Sequence, residues 1–264
     1  MTDPWFTLRQ FTQARIAQGR AGCSLPTSAL LDFQLAHASA RDAVHQVWDI
    51  AGFAGGVEQL GLEPMILATP VVSREQYLQR PDLGRRLAQS SRELLATRAN
   101  QTIDLALIVS NGLSSTAVDE HGLALLHTVV AAYAEHGLRM GPICLVANGR
   151  VALADEIGAM LNARLVVIIV GERPGLSAAD SLGMYLTYSP KPGNTDAERN
   201  CISNIRPPTG LSFKAAAIKL AYLSEQALRC GFSGVALKDD MPERLTEIGD
   251  VALQKCKLGS ESAL

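Results

Sequence analysis

The chain has 264 residues, 47% apolar and 19% charged, enough to build one large α/β domain or a domain with an N-terminal appendage. Its 24 basic and 26 acidic residues leave a formal net charge of −2, which argues against a general electrostatic grip on nucleic acid or anionic lipid, and 5% aromatic content leaves little for a base-stacking platform. Cys23, Cys144, Cys201, Cys230 and Cys256 are scattered with no C-x-x-C pair, no signal-peptide pattern opens the chain, and no apolar run is long enough to cross a bilayer, so a cytoplasmic soluble protein is expected.

Residues 1–64 read as a helical and connecting region, and 65–264 as the main domain. Thr27 to Trp48 carries Leu31, Leu35, Ala38 and Val44 among polar residues and predicts a helix with one apolar face. Residues 51–64 are glycine-rich and read as a loop, and 65–73 as β-like. Pro81 and Gly84 then mark a turn ringed by Arg80, Arg85 and Arg86, before a helix that runs to about Asn100. Three apolar strands follow, at 103–112, 141–150 and 165–170. Between them come a long helix, Ser114 to His136, capped by Ser114 or Thr116 and stopped by Gly137, and a short one from Val151 to Asn162. Alternating strands and helices with fully apolar strands predict an α/β fold, a doubly wound, mostly parallel sheet buried on both faces. A fourth strand is expected at 181–190, a long polar loop at 191–210, and a last helix from Ser212 to Cys230 stopped by Gly231. The tail after 238 is weakly patterned.

Parallel sheets hold ligands at the carboxyl ends of their strands. Three glycine-bearing loops leave those ends: Asn111-Gly112-Leu113-Ser114, Asn148-Gly149-Arg150-Val151 and Gly171-Glu172-Arg173-Pro174-Gly175. Solvated loop charges are common, but three such loops on one rim favour a pocket. No G-x-G-x-x-G, G-x-x-x-x-G-K-[ST] or G-x-S-x-G motif accompanies them, which disfavours a standard dinucleotide or ATP grip and a hydrolase elbow. Asp119, Glu120 and His121 sit near a helix start, where acidic residues are dipole-favourable, and the residue at i+4 from His121 is Leu125, so no zinc pair forms. No catalytic group or metal ligand is therefore assigned. Cys201, in Asn200-Cys201-Ile202-Ser203-Asn204-Ile205, is either a small core residue or part of a site lining.

The segments ARIAQGRAG (14–22), YLQRPDLGRRL (77–87), LIVSNGLSSTAV (107–118), GRVALADEIG (149–158), VVIIVGERPGLSAADSL (166–182), YSPKPG (188–193) and ERNCISNI (198–205) resemble the small subunit of adenosylcobalamin-dependent ethanolamine ammonia-lyase, in the family's order over roughly 10–230. The resemblance implies a Rossmann-like sheet that closes over adenosylcobalamin at the interface with a separate large subunit. The large subunit would hold ethanolamine and most of the chemistry of its radical deamination to acetaldehyde and ammonia. It also implies that cobalt keeps the cofactor's own base as lower ligand, and that Val151, Glu172 and Cys201 contact the cofactor, with Arg150 and Arg173 as further donors. The family often has Asp where this chain has Asn111, and an acidic residue before the histidine where it has Ala36-His37. Some members carry an N-terminal extension that addresses a bacterial microcompartment; a cytoplasmic place is the simpler expectation here. The rival readings are a stand-alone corrinoid- or nucleotide-binding module without catalysis, and a free-standing enzyme using Asp119, Glu120 and His121.

Overall fold

The computed structural model describes residues 5–98 and 103–242. Cys256 and the end of the predicted main domain, 243–264, lie outside the described residues, as does the predicted end of the helix near Asn100. Six strands form one sheet: β1 (Pro64–Leu67), β2 (Leu105–Ser110), β3 (Met140–Val146), β4 (Leu165–Gly171), β5 (Leu182–Tyr188) and β6 (Arg199–Ile205), in the order β1-β3-β2-β4-β5-β6. The described residues form eight α-helices: α1 (Thr27–His45), α2 (Ile50–Gln59), α3 (Arg74–Gln79), α4 (Gln89–Ala96), α5 (Ser115–Ala117), α6 (Leu123–Ala134), α7 (Leu153–Met160) and α8 (Phe213–Cys230).

The first four strands pair in parallel, as their unbroken apolar runs predict. The sheet as a whole is mixed, because β5 runs antiparallel to both β4 and β6. Alternate residues of β2 feed two cores. Leu105, Leu107 and Val109 join α2, α6 and α8 on one face, and Ala106 and Ile108 join Leu95 of α4 and Leu153 and Ile157 of α7 on the other.

Four expectations need correction. The glycine-rich stretch after residue 50 is helical: Asp49 caps α2 through the Gly52 amide, and Gly56 serves close packing, since a Cβ there would stand 2.5 Å from Leu123 Cδ1. The polar segment 191–210 contains β6. As an edge strand with one open face it needs only Ile202 and Ile205 for the core, so its sequence looks like a loop. The long helix after Ser114 is interrupted by a π-turn at Val118–Gly122. Finally, α1 does not bury its predicted apolar face: Leu31 is 58% and Leu35 69% exposed, and Ala43 is its buried residue. The last helix forms as read, with Ser212 accepting from the Ala215 amide and Gly231 left-handed at φ +80°.

Candidate functional site

The three glycine-bearing loops meet at the carboxyl ends of β2, β3 and β4. The Leu113 amide donates to Gly171 O at 2.9 Å, and the Asn148 amide to Asn111 Oδ1 at 2.7 Å. Asn111 Nδ2 in turn donates to Ser115 Oγ, whose hydroxyl donates to Gln46 O beyond the end of α1. An Asp at 111 has no amide hydrogens to support that relay, so Asn111 fits this chain's own arrangement.

On the face covered by α4 and α7, those helices pack over the β2 and β4 side of the sheet. Farther out, Tyr185 of β5 and Ser203 of β6 line an open cleft, while Cys201 lines neither of its parts. Its larger part, about 760 Å³, is lined by Arg85, Arg86, Arg150, Val151, Asp155 and Arg199 among others. Its smaller part, about 420 Å³, is lined by Tyr77, Leu113, Glu172, Arg173 and Ser203. Arg150, Val151 and Tyr185 line both parts. The cleft therefore gathers Arg150, Val151, Glu172 and Arg173. Cys201 is exposed on β6, opposite Tyr185 in the strand register and hydrogen-bonded with its side chain. Desolvation beside that ring pushes the Cys201 thiol and the Tyr185 phenol up, so both stay protonated at neutral pH.

Glu172 is more deeply tied than a free rim acceptor. Its Oε2 accepts from Ser181 Oγ at 2.6 Å and the Asn204 amide at 3.2 Å, and its Oε1 from Ser203 Oγ at 2.5 Å. It clamps the loop after β4 to β6. Replacing Glu172 with Ala strands these donors, so the apo protein should lose roughly 1–3 kcal/mol in a denaturant melt. Glu172→Gln keeps an acceptor for the Asn204 amide and a donor for a rotated Ser203 hydroxyl, so it should melt near the parent. Equal melts for the parent and the Ala variant would contradict the clamp.

Arg74 and Tyr77, on the buried side of α3, were not singled out from sequence. Arg74 Nε donates to Val44 O at 2.6 Å, and its Nη1 to Gly112 O at 2.7 Å and Asn148 Oδ1 at 2.9 Å. One guanidinium thus joins α1 to two of the three loops. Burial, together with nearby Arg150, lowers its pKa. Arg74 and Arg150 both lie against the Tyr77 ring, at 4.8 and 4.5 Å from its centroid, and Tyr77 Oη donates to Gly149 O. A tyrosine and an arginine three residues apart on a short helix was the available signal.

Away from the cleft, His121 lies in the π-turn with Nε2 3.1 Å from Asp180 Oδ2, while Arg206 faces Asp180 Oδ1 at 3.4 Å. Glu120, His121 and Asp180 bring ligand-type atoms within 4.8 Å of one another, but Arg206 already answers the Asp180 charge. Asp119 accepts from Gln46. No helix among the described residues is long and apolar enough to cross a membrane.

The family model described as ethanolamine ammonia-lyase light chain matches residues 2–238. The chain belongs to that family. Curated relatives named ethanolamine ammonia-lyase small subunit include one from Pseudomonas putida strain F1, 51% identical over 256 residues, covering 96% of this chain and 94% of the relative. One from Azotobacter vinelandii is 52% identical over 242 residues, covering 90% and 89%. A third, from Xanthomonas campestris, is 51% identical over 241 residues, covering 90% and 88%.

Proposed function

We propose that this chain is the small subunit of an ethanolamine ammonia-lyase that binds adenosylcobalamin in the cleft between α7 and β6, together with a large subunit that covers it. The observation that carries this reading is the convergence of Val151 and Glu172, from two separate loops, on one open cleft, with Cys201 opposite the lining residue Tyr185 in the strand register. The residues present fit the cofactor. Arg150 Nε, Asp155 Oδ1 and Arg199 Nε are buried beside the cleft without a protein hydrogen-bond partner, and the cofactor carries amide donors and acceptors as well as an anionic phosphodiester.

When bound, adenosylcobalamin supplies a carbon-centred radical through homolysis of its cobalt–carbon bond. This chain's part is to bind and orient. Val151 offers apolar surface at the start of α7, Tyr185 a flat wall, and Arg150 and Arg173 donate hydrogen bonds. Cys201 and Ser203 form a floor of small side chains that lets a broad planar group approach β6. A large-subunit partner is further supported by apolar side chains exposed near the N-terminus: Phe11, Leu31 and Leu35 are 78%, 58% and 69% exposed.

The test is reconstitution. The purified chain alone should release no acetaldehyde from ethanolamine with adenosylcobalamin, and adding the large subunit from the same organism should restore release. Turnover by the isolated chain, or an assembled complex that binds no cobalamin, would refute the reading. Tight cobalamin binding without any partner effect would favour the stand-alone corrinoid-binding module.

A further inference from the structure

We propose that Arg85 and Arg150 form an anion subsite in the cleft that holds the phosphodiester of the cobalamin nucleotide tail, a deepening that rests on the cofactor reading above. Six arginines line the two parts of the cleft: Arg85, Arg86, Arg92, Arg150, Arg173 and Arg199. Three of them pair with carboxylates of the protein. Arg92 pairs with Glu156 at 2.6 Å, Arg199 with Asp155 and Asp196, and Arg86 shares Asp82, at 3.4 Å, with Arg80 outside the cleft lining. Among the described residues, no ion pair includes Arg85, Arg150 or Arg173. Arg85 and Arg150 line the same, larger cavity; Arg173 lines only the smaller one.

These two positions are fastened to each other through the backbone. The Arg150 amide donates to Gly84 O at 2.8 Å, the residue before Arg85. A Cβ on Gly84 would stand 2.9 Å from Asn148 O and 3.2 Å from Arg150 Cγ, so the absence of a side chain there is what lets the two segments touch. The Arg150 side chain is also fixed before any ligand arrives. Its guanidinium sits 4.5 Å from the Tyr77 ring centroid, Nη2 donates to Tyr77 O at 3.1 Å, and Nε has no protein partner. A donor held this way loses little rotamer entropy on binding.

The charge balance selects the ligand group. Arg74, which likewise has no carboxylate partner among the described residues, lies against the same tyrosine and adds to the positive potential behind Arg150. The amide arms of a corrin are neutral, whereas the phosphodiester carries a permanent negative charge. A guanidinium paired with a phosphate oxygen makes a charge-assisted hydrogen bond, stronger than one to an amide carbonyl.

The experiment uses the assembled complex with its large subunit. Cyanocobalamin and dicyanocobinamide, a corrinoid lacking the phosphodiester and base, are titrated by absorbance into the parent and into Arg85→Gln, an exposed position whose replacement leaves the fold intact. Arg85→Gln should weaken cobalamin binding by about tenfold or more and change cobinamide binding by less than about twofold. Arg150→Gln, checked by a melt because it also stacks on Tyr77, should show the same split. Added inorganic phosphate should compete with cobalamin in the parent and not in Arg85→Gln. Equal loss for both corrinoids, or loss for neither, overturns the subsite while leaving the cofactor reading standing. A parent complex that binds neither corrinoid overturns that reading and the subsite with it.

Discussion

Replacing Arg199 with Met is expected to destabilise the protein by about 3–5 kcal/mol at pH 7.5, the scale seen when one partner of a buried ion pair is removed. Arg199 and Asp155 are 3% and 2% exposed at their side chains and bonded directly to each other. Arg199 also ties the loop before β6 through Asn194 O at 3.0 Å and Asp196 at 3.0 Å, but Asp196 is fully exposed and contributes little. The deficit should depend on pH. Burial outweighs the pull of Arg199 and leaves the Asp155 carboxyl raised from an ordinary 3.8 to about 6. A group whose folded pKa lies above its unfolded value contributes stability that is present below the unfolded pKa and lost as pH rises through the folded one. Without Arg199 the folded pKa climbs further, and the loss extends to higher pH. Denaturant melts at pH 5 and 7.5 should therefore show a much smaller gap between variant and parent at pH 5. Equal gaps would mean that the arginine acts by packing alone. A double variant, Asp155→Leu with Arg199→Met, should recover much of the loss, because no charge is left buried.

The same pair shows which parts of the molecule are legible in its sequence. Strands β2, β3 and β4 announce themselves because burial on both faces demands unbroken apolar runs, and the glycines that follow them place the rim. Strand β6 does not, because Arg199, Asn200, Ser203 and Asn204 are polar for four local reasons. Arg199 answers Asp155, Asn200 holds Gly234, Ser203 reaches Glu172, and Asn204 has positive φ. No periodicity contains those reasons. Helix α2 was hidden by its glycines, one of which, Gly56, makes room for Leu123 of another helix. The face of α1 was read correctly as apolar, but the protein leaves it bare, and a single chain's pattern does not say what covers it. In the cleft, Arg150, Val151, Glu172 and Arg173 were visible as loop residues after strands. Arg74, Tyr77 and Tyr185 were not, because their roles depend on which segments meet, and that is set by strand order.

Gly171→Ala should be among the most damaging single changes in the chain, larger than its one added methyl suggests. A Cβ there would stand 2.1 Å from Ser114 O and 2.4 Å from Asn111 O, both backbone atoms that cannot rotate away. Gly112 faces it with the same constraint: its φ is +49°, and a Cβ on it would meet Gly171 O at 2.4 Å. The two glycines let the loops after β2 and β4 touch, and the Leu113 amide bonds Gly171 O across the contact. An alanine must force the loops apart, breaking that bond and shifting Gly112 O away from Arg74. Overpacking with backbone displacement should cost about 3 kcal/mol or more, a fall of roughly 6–12 °C in Tm for a chain of this size. Gly175→Ala, four residues on, is the control. Its Cβ would lie 3.8 Å from Ala178 Cβ, an ordinary contact, and should change stability by less than about 0.5 kcal/mol. If the two variants melt alike, the contact between the loops after β2 and β4 has slack and does not fix the rim. If Gly171→Ala alone melts low and binds cobalamin weakly, the contact between these two loops is what holds the rim of the cleft in place.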